Sequence, residues 1–453
     1  MQSYRVTIFV VVILLSTGLL GGRLFTLQII GRGDAQEVSQ GNALRTLRVM
    51  PARGAIYDRH GVLMVDNEPS YVITLTPRYF AEEKTSLLAR HLGVSDSLVT
   101  EKLAEARAWT SYRPSKSFPD ISFDQYSRIQ EDIFLLPGVD KELGQKRRYP
   151  STAKASHALG YVGEITRAEL NAQEAENIYL QGDLVGRTGV ERSYESYLRG
   201  EPGSALRVVN VYGLEVKSYL EGMGDQAPVS GYDIHLAMDA GVQALAESLF
   251  VNKRGAAVAI DVNTGGILAL VSAPDFDPTL FIGGIDKERW QAINDDPEKP
   301  LYNRASMNQM PPGSTWKPLM ALMALDTGLI TPSGPGSTVY CGGYHPLGGG
   351  RIFKCLGQHG EQNVTDALQN SCNTFFFEVG RRMNISSFKR YASMFGFGLE
   401  APTDIREQTS GLIPDSAYFN STFARWGPGT VMNLGVGQGD MGVTPLQLSL
   451  IHI

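Results

Sequence analysis

Residues 311–325 of the chain read PPGSTWKPLMALMAL. Two prolines followed by a strongly apolar run predict a buried helix from Ser314 to Leu325. Ser314 and Lys317 are three residues apart, so they share a face of this helix and the lysine amine can reach the serine hydroxyl. A hydroxyl becomes a nucleophile when a base removes its proton, and a lysine desolvated beside Trp316 can be that base. The segment therefore predicts a serine nucleophile at the start of a helix.

The Ser-x-x-Lys spacing is weak evidence by itself, because it recurs at Ser151–Lys154 and at Ser386–Lys389. Each of these pairs can also be a capping serine followed by a solvated lysine. Ser314 differs in its position, since it follows a predicted β-hairpin and opens a strongly apolar helix. We therefore place the nucleophile at Ser314.

A Ser-x-Asn sequence also occurs twice, at Ser306–Asn308 and at Ser371–Asn373. Only Ser371 begins a segment, SCNTFFFEVG, that is typical of a loop leading into a buried helix. The predicted catalytic set combines the two selected motifs and comprises Ser314, Lys317, Ser371 and Asn373.

The residues that precede the nucleophile predict an α+β domain. Asp239–Val251 has the apolar periodicity of an amphipathic helix. Ala256–Asp261 and Ile267–Val271 are β-rich runs joined by Val-Asn-Thr-Gly-Gly, which predicts a hairpin. Helices that pack on such a hairpin are typical of α+β architecture.

The order of these motifs along the chain matches that of a known protein family. The hairpin, PPGSTWKP, SCNTFF and GVGQGDMGVTPLQL (residues 435–448) together resemble the transpeptidase domain of class B penicillin-binding proteins. Three further stretches are similar to the non-catalytic N-terminal domain of that family: RGAIYDRHG (53–61), HALGYVGEI (157–165) and VGRTGVERSYESYLRGEPG (185–203). RVVNVYGLEV (207–216) and a helical insertion at 81–135 are closer to elongation-type than to septal members of the family.

The resemblance implies an α+β architecture in several parts. They are a membrane anchor at 1–30, an elongated pedestal (dimerisation) domain at 31–221 with a helical head at about 81–135, a linker at 222–231, and at 232–453 a β-lactamase-like serine transpeptidase domain with helices on an antiparallel sheet. The third motif of the family, Lys-Thr-Gly or Lys-Ser-Gly, does not occur in the 453 residues. In the family it follows a GQG-x-x-x-x-TP segment, so we expect the chain to be truncated before that motif and, as it stands, to be inactive.

The chemistry that the resemblance implies is D,D-transpeptidation of peptidoglycan. Ser314 would attack the D-Ala-D-Ala amide of a stem peptide, with Lys317 as base, Ser371 as proton relay and Asn373 as hydrogen-bond partner of the lysine and of the substrate amide. β-Lactams would acylate Ser314 as substrate mimics, and no cofactor is implied. The alternatives are a septal transpeptidase, a membrane-anchored β-lactam sensor and a β-lactamase-like hydrolase.

Residues 6–22 read VTIFVVVILLSTGLLGG, without a charge, between Arg5 and Arg23. This length reaches the lower limit for crossing a bilayer, and Leu24–Ile30 can extend the helix. A cleavable signal peptide is the alternative, but its apolar core is usually shorter and ends in an A-x-A-like site, which 16–23 lacks. We therefore predict a single-pass anchor in the bacterial inner membrane, with the catalytic domain on the periplasmic side. The family implies a SEDS-type glycosyltransferase and elongation-complex proteins as partners.

The composition excludes some classes of protein. Lys plus Arg number 41 against 47 for Asp plus Glu, which gives a net charge of -6. A general nucleic-acid binder carries a basic surplus, so no nucleic-acid partner is expected. Three cysteines in such a long chain exclude a disulfide scaffold.

Two cysteines and two histidines lie close together in a Gly-rich stretch between the catalytic motifs. Because Cys-x₃-His occurs both at Cys341–His345 and at Cys355–His359, zinc binding is one interpretation. A Cys341–Cys355 disulfide and unpaired thiols are the others, and the sequence leaves all three open. Cys372, inside the Ser-x-Asn motif, is predicted to be a small buried apolar residue.

Overall fold

The computed structural model describes residues 13–22, 44–173, 178–209, 215–334, 336–348 and 350–451. Two compact units alternate along the chain. The smaller unit contains Met1–Gly54, Glu68–Lys146 and Arg199–Tyr232, and the larger unit contains Ala55–Asn67, Arg147–Leu198 and Asp233–Ile453. Both units contain helices and strands, so the fold is mixed α and β, as predicted.

The secondary structure consists of short strands and short helices. The strands are β1 (Leu44–Val49), β2 (Ile56–Tyr57), β3 (Leu63–Leu75), β4 (Ser115–Ile121), β5 (Val139–Arg148), β6 (Val162–Glu164), β7 (Leu184–Gly186), β8 (Gly203–Val209), β9 (Glu215–Ser218), β10 (Ile234–His235), β11 (Gly255–Ile260), β12 (Ile267–Ala273), β13 (Val339–Cys341), β14 (Tyr344–Gly348), β15 (Arg351–Lys354) and β16 (Gly360–Gln362). The α-helices are α1 (Thr85–Leu92), α2 (Asp96–Trp109), α3 (Phe123–Glu131), α4 (Ser156–Leu159), α5 (Arg167–Ala172), α6 (Gly189–Ser193), α7 (Glu195–Leu198), α8 (Ala240–Leu249), α9 (Lys287–Asn294), α10 (Lys317–Asp326), α11 (Val364–Gln369), α12 (Asn373–Arg382), α13 (Ile385–Met394), α14 (Ser416–Thr422), α15 (Pro428–Met432) and α16 (Pro445–Ser449). Turns of 3₁₀-helix occur at Glu82–Lys84, Ile133–Leu135, Tyr219–Gly222, Pro278–Phe281, Gly313–Trp316 and Asn433–Val436.

The smaller unit contains the helices that the sequence predicts within 81–135. In this unit β1, β8 and β9 form an antiparallel sheet, and β3 pairs with β4 and β5. The side chain of Ser95 caps α2, and Ser122 and Gln125 form a capping box at the start of α3. The helices bury their apolar faces in a common core with the strands, and this core includes Ile73, Leu88 and Leu103. Burial of these faces stabilises helices that are too short to be stable alone.

The larger unit contains the predicted hairpin. Strands β11 and β12 pair antiparallel, and helix α8 packs on β12. The side chain of Asp239 accepts hydrogen bonds from the first amides of α8. The buried amide of Gln243 bonds both the N–H and the C=O of Leu270 in β12, at 2.7 and 3.0 Å. This pairing fixes the helix against the strand.

The core of the larger unit surrounds helices α10, α12 and α13. The predicted helix Ser314–Leu325 is present as the 3₁₀ turn Gly313–Trp316 followed by α10. Trp316 is fully buried, and its ring contacts those of Phe388 and Phe397 at centroid distances of 5.9 and 4.8 Å. Aromatic packing therefore holds the turn that carries Ser314.

The predicted membrane anchor lies mostly outside the described residues. Of residues 1–30 the structure describes 13–22, which are helical. Within the described parts of the chain, no helix combines the length and the apolarity needed to cross a bilayer. The anchor therefore stays a prediction.

Candidate active site

The structure brings all four predicted catalytic residues together. Ser314 is exposed in the 3₁₀ turn Gly313–Trp316, and Lys317, in the first turn of α10, is 2% exposed. The Lys317 amine donates to the Ser371 carbonyl at 2.7 Å, to Ser371 Oγ at 3.0 Å and to Asn373 Oδ1 at 2.7 Å. Ser371 Oγ lies 3.0 Å from Ser314 Oγ, in hydrogen-bond contact. The Ser371 hydroxyl therefore connects the amine to the exposed serine.

Burial shapes the acid–base properties of this amine. Desolvation lowers the pKa of Lys317 below the usual lysine range, and the neighbouring thiols of Cys355 and Cys372 oppose that shift. The three N–H bonds of the charged amine match its three oxygen acceptors. These hydrogen bonds orient the Lys317 amine. Because its pKa is lowered, the amine loses its proton at a lower pH than a solvated lysine does.

The backbone at Ser371 is unusual. Its φ is +49°, a left-handed conformation that non-glycine residues seldom adopt. Ser371 lies in the tight connection between α11 and α12, where its N–H donates to the Leu368 carbonyl at 3.2 Å and the Cys372 N–H donates to the Ala367 carbonyl at 2.8 Å. Such a conformation persists where the surrounding contacts enforce it. At Ser371 it places the hydroxyl within hydrogen-bond distance of Ser314 Oγ.

The structure separates this site from the other motifs of the same spacing. Lys154 and Lys389 are largely exposed and pair with Asp275 at 3.3 Å and with Asp415 at 2.5 Å. Ser306 is fully buried and donates to the Glu407 carbonyl. Each of these residues has a structural partner away from Ser314.

A thiol cluster lies beside Ser371 and Asn373, two of the predicted catalytic residues. It consists of Cys341, Cys355, His359 and Cys372, whose donor atoms all lie within 4.8 Å of one another. The three cysteines are free thiols, so the Cys341–Cys355 disulfide, one of the three alternatives that the sequence left open, is not formed. Cys372 is fully buried as predicted, but the prediction that it is simply an apolar residue is incomplete because its thiol belongs to this cluster.

The four residues of the zinc interpretation, which the sequence left open, differ from this cluster in one member, His345. Its Nε2 lies 2.9 Å from the Glu378 carboxylate, because β14 packs beside α12 at that point. Cys372 takes its place in the cluster. A cysteine inside the Ser-x-Asn motif, with two further cysteines upstream, was the sequence feature that could have suggested this.

The distances within the thiol cluster fit a zinc ion. Cys355 Sγ and Cys372 Sγ are 3.9 Å apart, and His359 Nδ1 lies 3.5 and 3.6 Å from the sulfurs of Cys341 and Cys355. Tetrahedral zinc with Zn–S of about 2.3 Å and Zn–N of about 2.0 Å requires S–S edges of about 3.8 Å and S–N edges of about 3.5 Å. Three thiolates and one imidazole form a closed structural donor set, so these residues could hold zinc in a structural role.

The thiol cluster also contacts the first residue of α12. Cys355 Sγ accepts a hydrogen bond from the Asn373 N–H at 3.2 Å. Burial raises the pKa of the Cys355 thiol, but N–H donors from Thr374, Gly357 and Asn373 outweigh it and hold that pKa at about 6. The start of α12 is therefore anchored to the sulfur of Cys355.

Comparison with known protein families shows two domain matches that together cover most of this chain. The penicillin-binding protein dimerisation domain matches residues 48–236, and the penicillin binding protein transpeptidase domain matches residues 255–451. The peptidoglycan D,D-transpeptidase MrdA of Escherichia coli K12 is 33% identical over 455 residues, which cover 96% of this chain and 69% of the relative. The chain belongs to the penicillin-binding protein family.

Other relatives of this penicillin-binding protein carry the names MrdA or PBP2. MrdA of Acinetobacter baumannii is 32% identical over 99% of the chain and 67% of the relative. Among solved structures, the penicillin-binding protein PBP2 of Helicobacter pylori in complex with MreC superposes with a TM-score of 0.74 at 27% identity, covering 89% of this chain and 76% of that one. PBP2 of Pseudomonas aeruginosa in complex with WCK 5153 gives a TM-score of 0.64 at 28% identity, over 90% and 69% of the two chains.

Proposed function

We propose that the full-length protein, meaning this chain together with the third motif that the family resemblance implies, cross-links peptidoglycan through an acyl-enzyme on Ser314. The protein is a class B peptidoglycan D,D-transpeptidase of cell elongation. In the proposed reaction Ser314 Oγ bonds to the carbonyl carbon of the D-Ala-D-Ala amide, the C–N bond breaks and D-alanine leaves. An amine of a neighbouring stem peptide then takes the acyl group and frees the serine.

The proton path follows the hydrogen bonds of the site. When Lys317 is neutral, its lone pair can accept the Ser371 hydroxyl proton while Ser371 Oγ accepts the proton of Ser314. The same path in reverse delivers a proton to the departing amine. Ser371 is the relay in this scheme, and the amine of Lys317 is the base.

Asn373 has a positioning and a binding role in the proposed reaction. Its Oδ1 accepts a hydrogen bond from the Lys317 amine at 2.7 Å, which orients the lysine towards Ser371. We expect the NH₂ group of the same carboxamide to contact the substrate amide.

The observation that carries this proposal is the unbroken contact from Lys317 through Ser371 to Ser314. It is tested by labelling the full-length protein with a fluorescent penicillin. Ser314→Ala should abolish labelling, whereas Ser151→Ala and Ser386→Ala, in the two other Ser-x-x-Lys motifs, should label like the unmodified protein. Labelling that survives Ser314→Ala and disappears in Ser151→Ala would contradict the proposal.

We also propose the cellular setting of the enzyme. A solved relative, PBP2 of Helicobacter pylori, is described in complex with MreC, and another solved relative belongs to a peptidoglycan synthase complex that coordinates polymerisation and cross-linking. Both descriptions support partners of the elongation complex. We propose that the protein is a single-pass inner-membrane protein that works beside a SEDS-type glycosyltransferase, with 31–221 as pedestal and 232–453 as periplasmic transpeptidase domain. Depletion should give round cells, and filamentous cells would favour the septal alternative.

A further inference from the structure

The segment Gly435–Gly437 lies between the two halves of the active site. It follows α15 and ends a 3₁₀ turn, with Gly437 in the left-handed conformation at φ +69°. On one side it meets the turn that carries Ser314, and on the other side it meets helix α12, which begins at Asn373. We call these three residues the spacer.

The contact between the spacer and the nucleophile turn is made by backbone atoms. The Gly313 N–H donates to the Gly437 carbonyl at 2.8 Å. A Cβ at Gly437 would lie 2.2 Å from the Gly313 carbonyl oxygen and 2.7 Å from Trp316 Cβ. No side chain larger than hydrogen fits there, so the spacer rests directly on the residue that precedes Ser314.

The contact between the spacer and α12 is equally close. A Cβ at Gly435 would lie 2.3 Å from the Phe376 carbonyl oxygen and 3.2 Å from Gly380 Cα. Val436, between the two glycines, is 4% exposed and belongs to the core of the larger unit. The spacer is thus held on both sides by atoms that cannot rotate away.

We infer, building on the nucleophilic role proposed for Ser314, that Gly435 and Gly437 are positioning residues that set the distance between Ser314 and Ser371. One glycine supports the turn of the nucleophile, and the other supports the helix that follows the relay serine. The spacing of the two elements determines the 3.0 Å contact through which the proton leaves Ser314. A displacement of about 1 Å in a reacting group can lower a rate about 100-fold.

The test compares Gly437→Ala with Gly439→Ala in the full-length protein. Gly439 also has a positive φ, +89°, but a Cβ there would meet only Asn433 Cβ at 3.4 Å and Leu434 Cδ2 at 3.8 Å, which are ordinary contacts. Both variants therefore carry a similar backbone penalty, and only Gly437→Ala presses on the nucleophile turn. The readout is the rate of acylation by a β-lactam as a function of its concentration and of pH.

We expect Gly437→Ala to lower the limiting acylation rate about 10- to 100-fold relative to Gly439→Ala. The β-lactam concentration at half-maximal rate and the midpoint of the pH profile should stay unchanged, because the binding surface and Lys317 are not altered. A merely structural role would lower the amount of active protein and leave the rate constant of the folded fraction intact. Equal limiting rates in the two variants would overturn the inference.

A second variant covers the case in which Gly437→Ala does not fold. Val436→Ala shortens the buried side chain of the spacer without adding an atom, so it loosens the support of both elements. It should lower the limiting acylation rate about threefold or more, and an unchanged rate would overturn the inference.

If the unmodified protein is not acylated on Ser314, the proposed function fails. If it is acylated there and the variants match their control, only the role of the spacer fails.

Discussion

Ser371 Oγ lies 3.0 Å from Ser314 Oγ, although the two residues are 57 positions apart in the chain. The turn before α10 supplies one hydroxyl and the turn before α12 supplies the other. The same Ser371 oxygen accepts a hydrogen bond from the Lys317 amine at 3.0 Å. The Ser371 hydroxyl therefore connects Ser314 with Lys317, the proposed nucleophile and the proposed base.

Replacement of Ser371 by alanine should remove this connection while leaving the nucleophile in place. We expect the rate of acylation by a β-lactam to fall about 10²- to 10⁴-fold, the range that positioned acid–base groups contribute. Stopped-flow or quenched labelling of the full-length protein measures this rate. Ser386→Ala is the matched control and should be close to the unmodified protein. A loss of less than threefold in Ser371→Ala would show that the proton leaves Ser314 by another route.

The acylation rate should depend on the charge of Lys317. Only the neutral amine can accept a proton, and burial lowers the pKa of Lys317 below the usual lysine range. The rate should therefore rise with pH, with a midpoint below that of a solvated lysine, and then level off. Lys317→Met should remove this dependence together with most of the rate, whereas Lys389→Met should preserve the profile. A rate that falls with increasing pH, with the protein folded throughout, would contradict the role of the lysine as base.

The thiol cluster should bind zinc. We expect about one zinc ion per chain in metal analysis of purified protein, since the donor atoms of three cysteines and one histidine all lie within 4.8 Å of one another and the Cys341–His359, Cys355–His359 and Cys355–Cys372 distances match tetrahedral edges. His359→Ala should lower the zinc content and the thermal midpoint, and a strong chelator should do the same to the unmodified protein. His345→Ala is the control, because His345 pairs with Glu378 instead. Metal-free protein of undiminished stability would rule out the structural zinc.

Glu378 should make stability depend on acid pH. Hydrogen bonds from Arg381, opposed by burial and assisted by His345 and Arg382, lower the pKa of Glu378 from 4.5 to about 2. A carboxyl whose pKa is lower in the folded state stabilises the fold above its ordinary pKa. That stabilisation is lost as the pH falls from 4.5 towards 2.

The measurement is the free energy of unfolding at pH 7 and at pH 3. The unmodified protein should lose more stability over this interval than Glu378→Gln, which lacks the ionisable group. Glu361→Gln replaces an exposed carboxylate and should behave like the unmodified protein. An identical loss in Glu378→Gln and in the unmodified protein would show that this carboxylate does not couple folding to pH.

Much of the active site could be predicted from local sequence. The positions of Ser314 and Lys317 follow from helical spacing, and the hairpin β11–β12 follows from two β-rich runs around a Gly-Gly turn. The Ser-x-Asn motif could be selected at Ser371 because an apolar helix follows it. These features depend on neighbours within a few residues, so the sequence shows them directly.

The remaining features depend on contacts between distant residues. Spacing alone cannot separate His345 from His359, because each follows a cysteine by four positions. Only the packing of β14 on α12 assigns His345 to Glu378 and leaves His359 with the thiols. The role of the spacer is equally invisible in the sequence, since the close approach of Gly437 to Gly313 joins residues 124 positions apart.

The most direct test of the central claim is to locate the covalent adduct of a β-lactam on the full-length protein by peptide mass spectrometry. We expect a single adduct on the peptide that contains Ser314, with fragmentation placing the added mass on that serine. An adduct on Ser371 or Ser151, or no adduct under conditions in which the folded protein binds the drug, would contradict it.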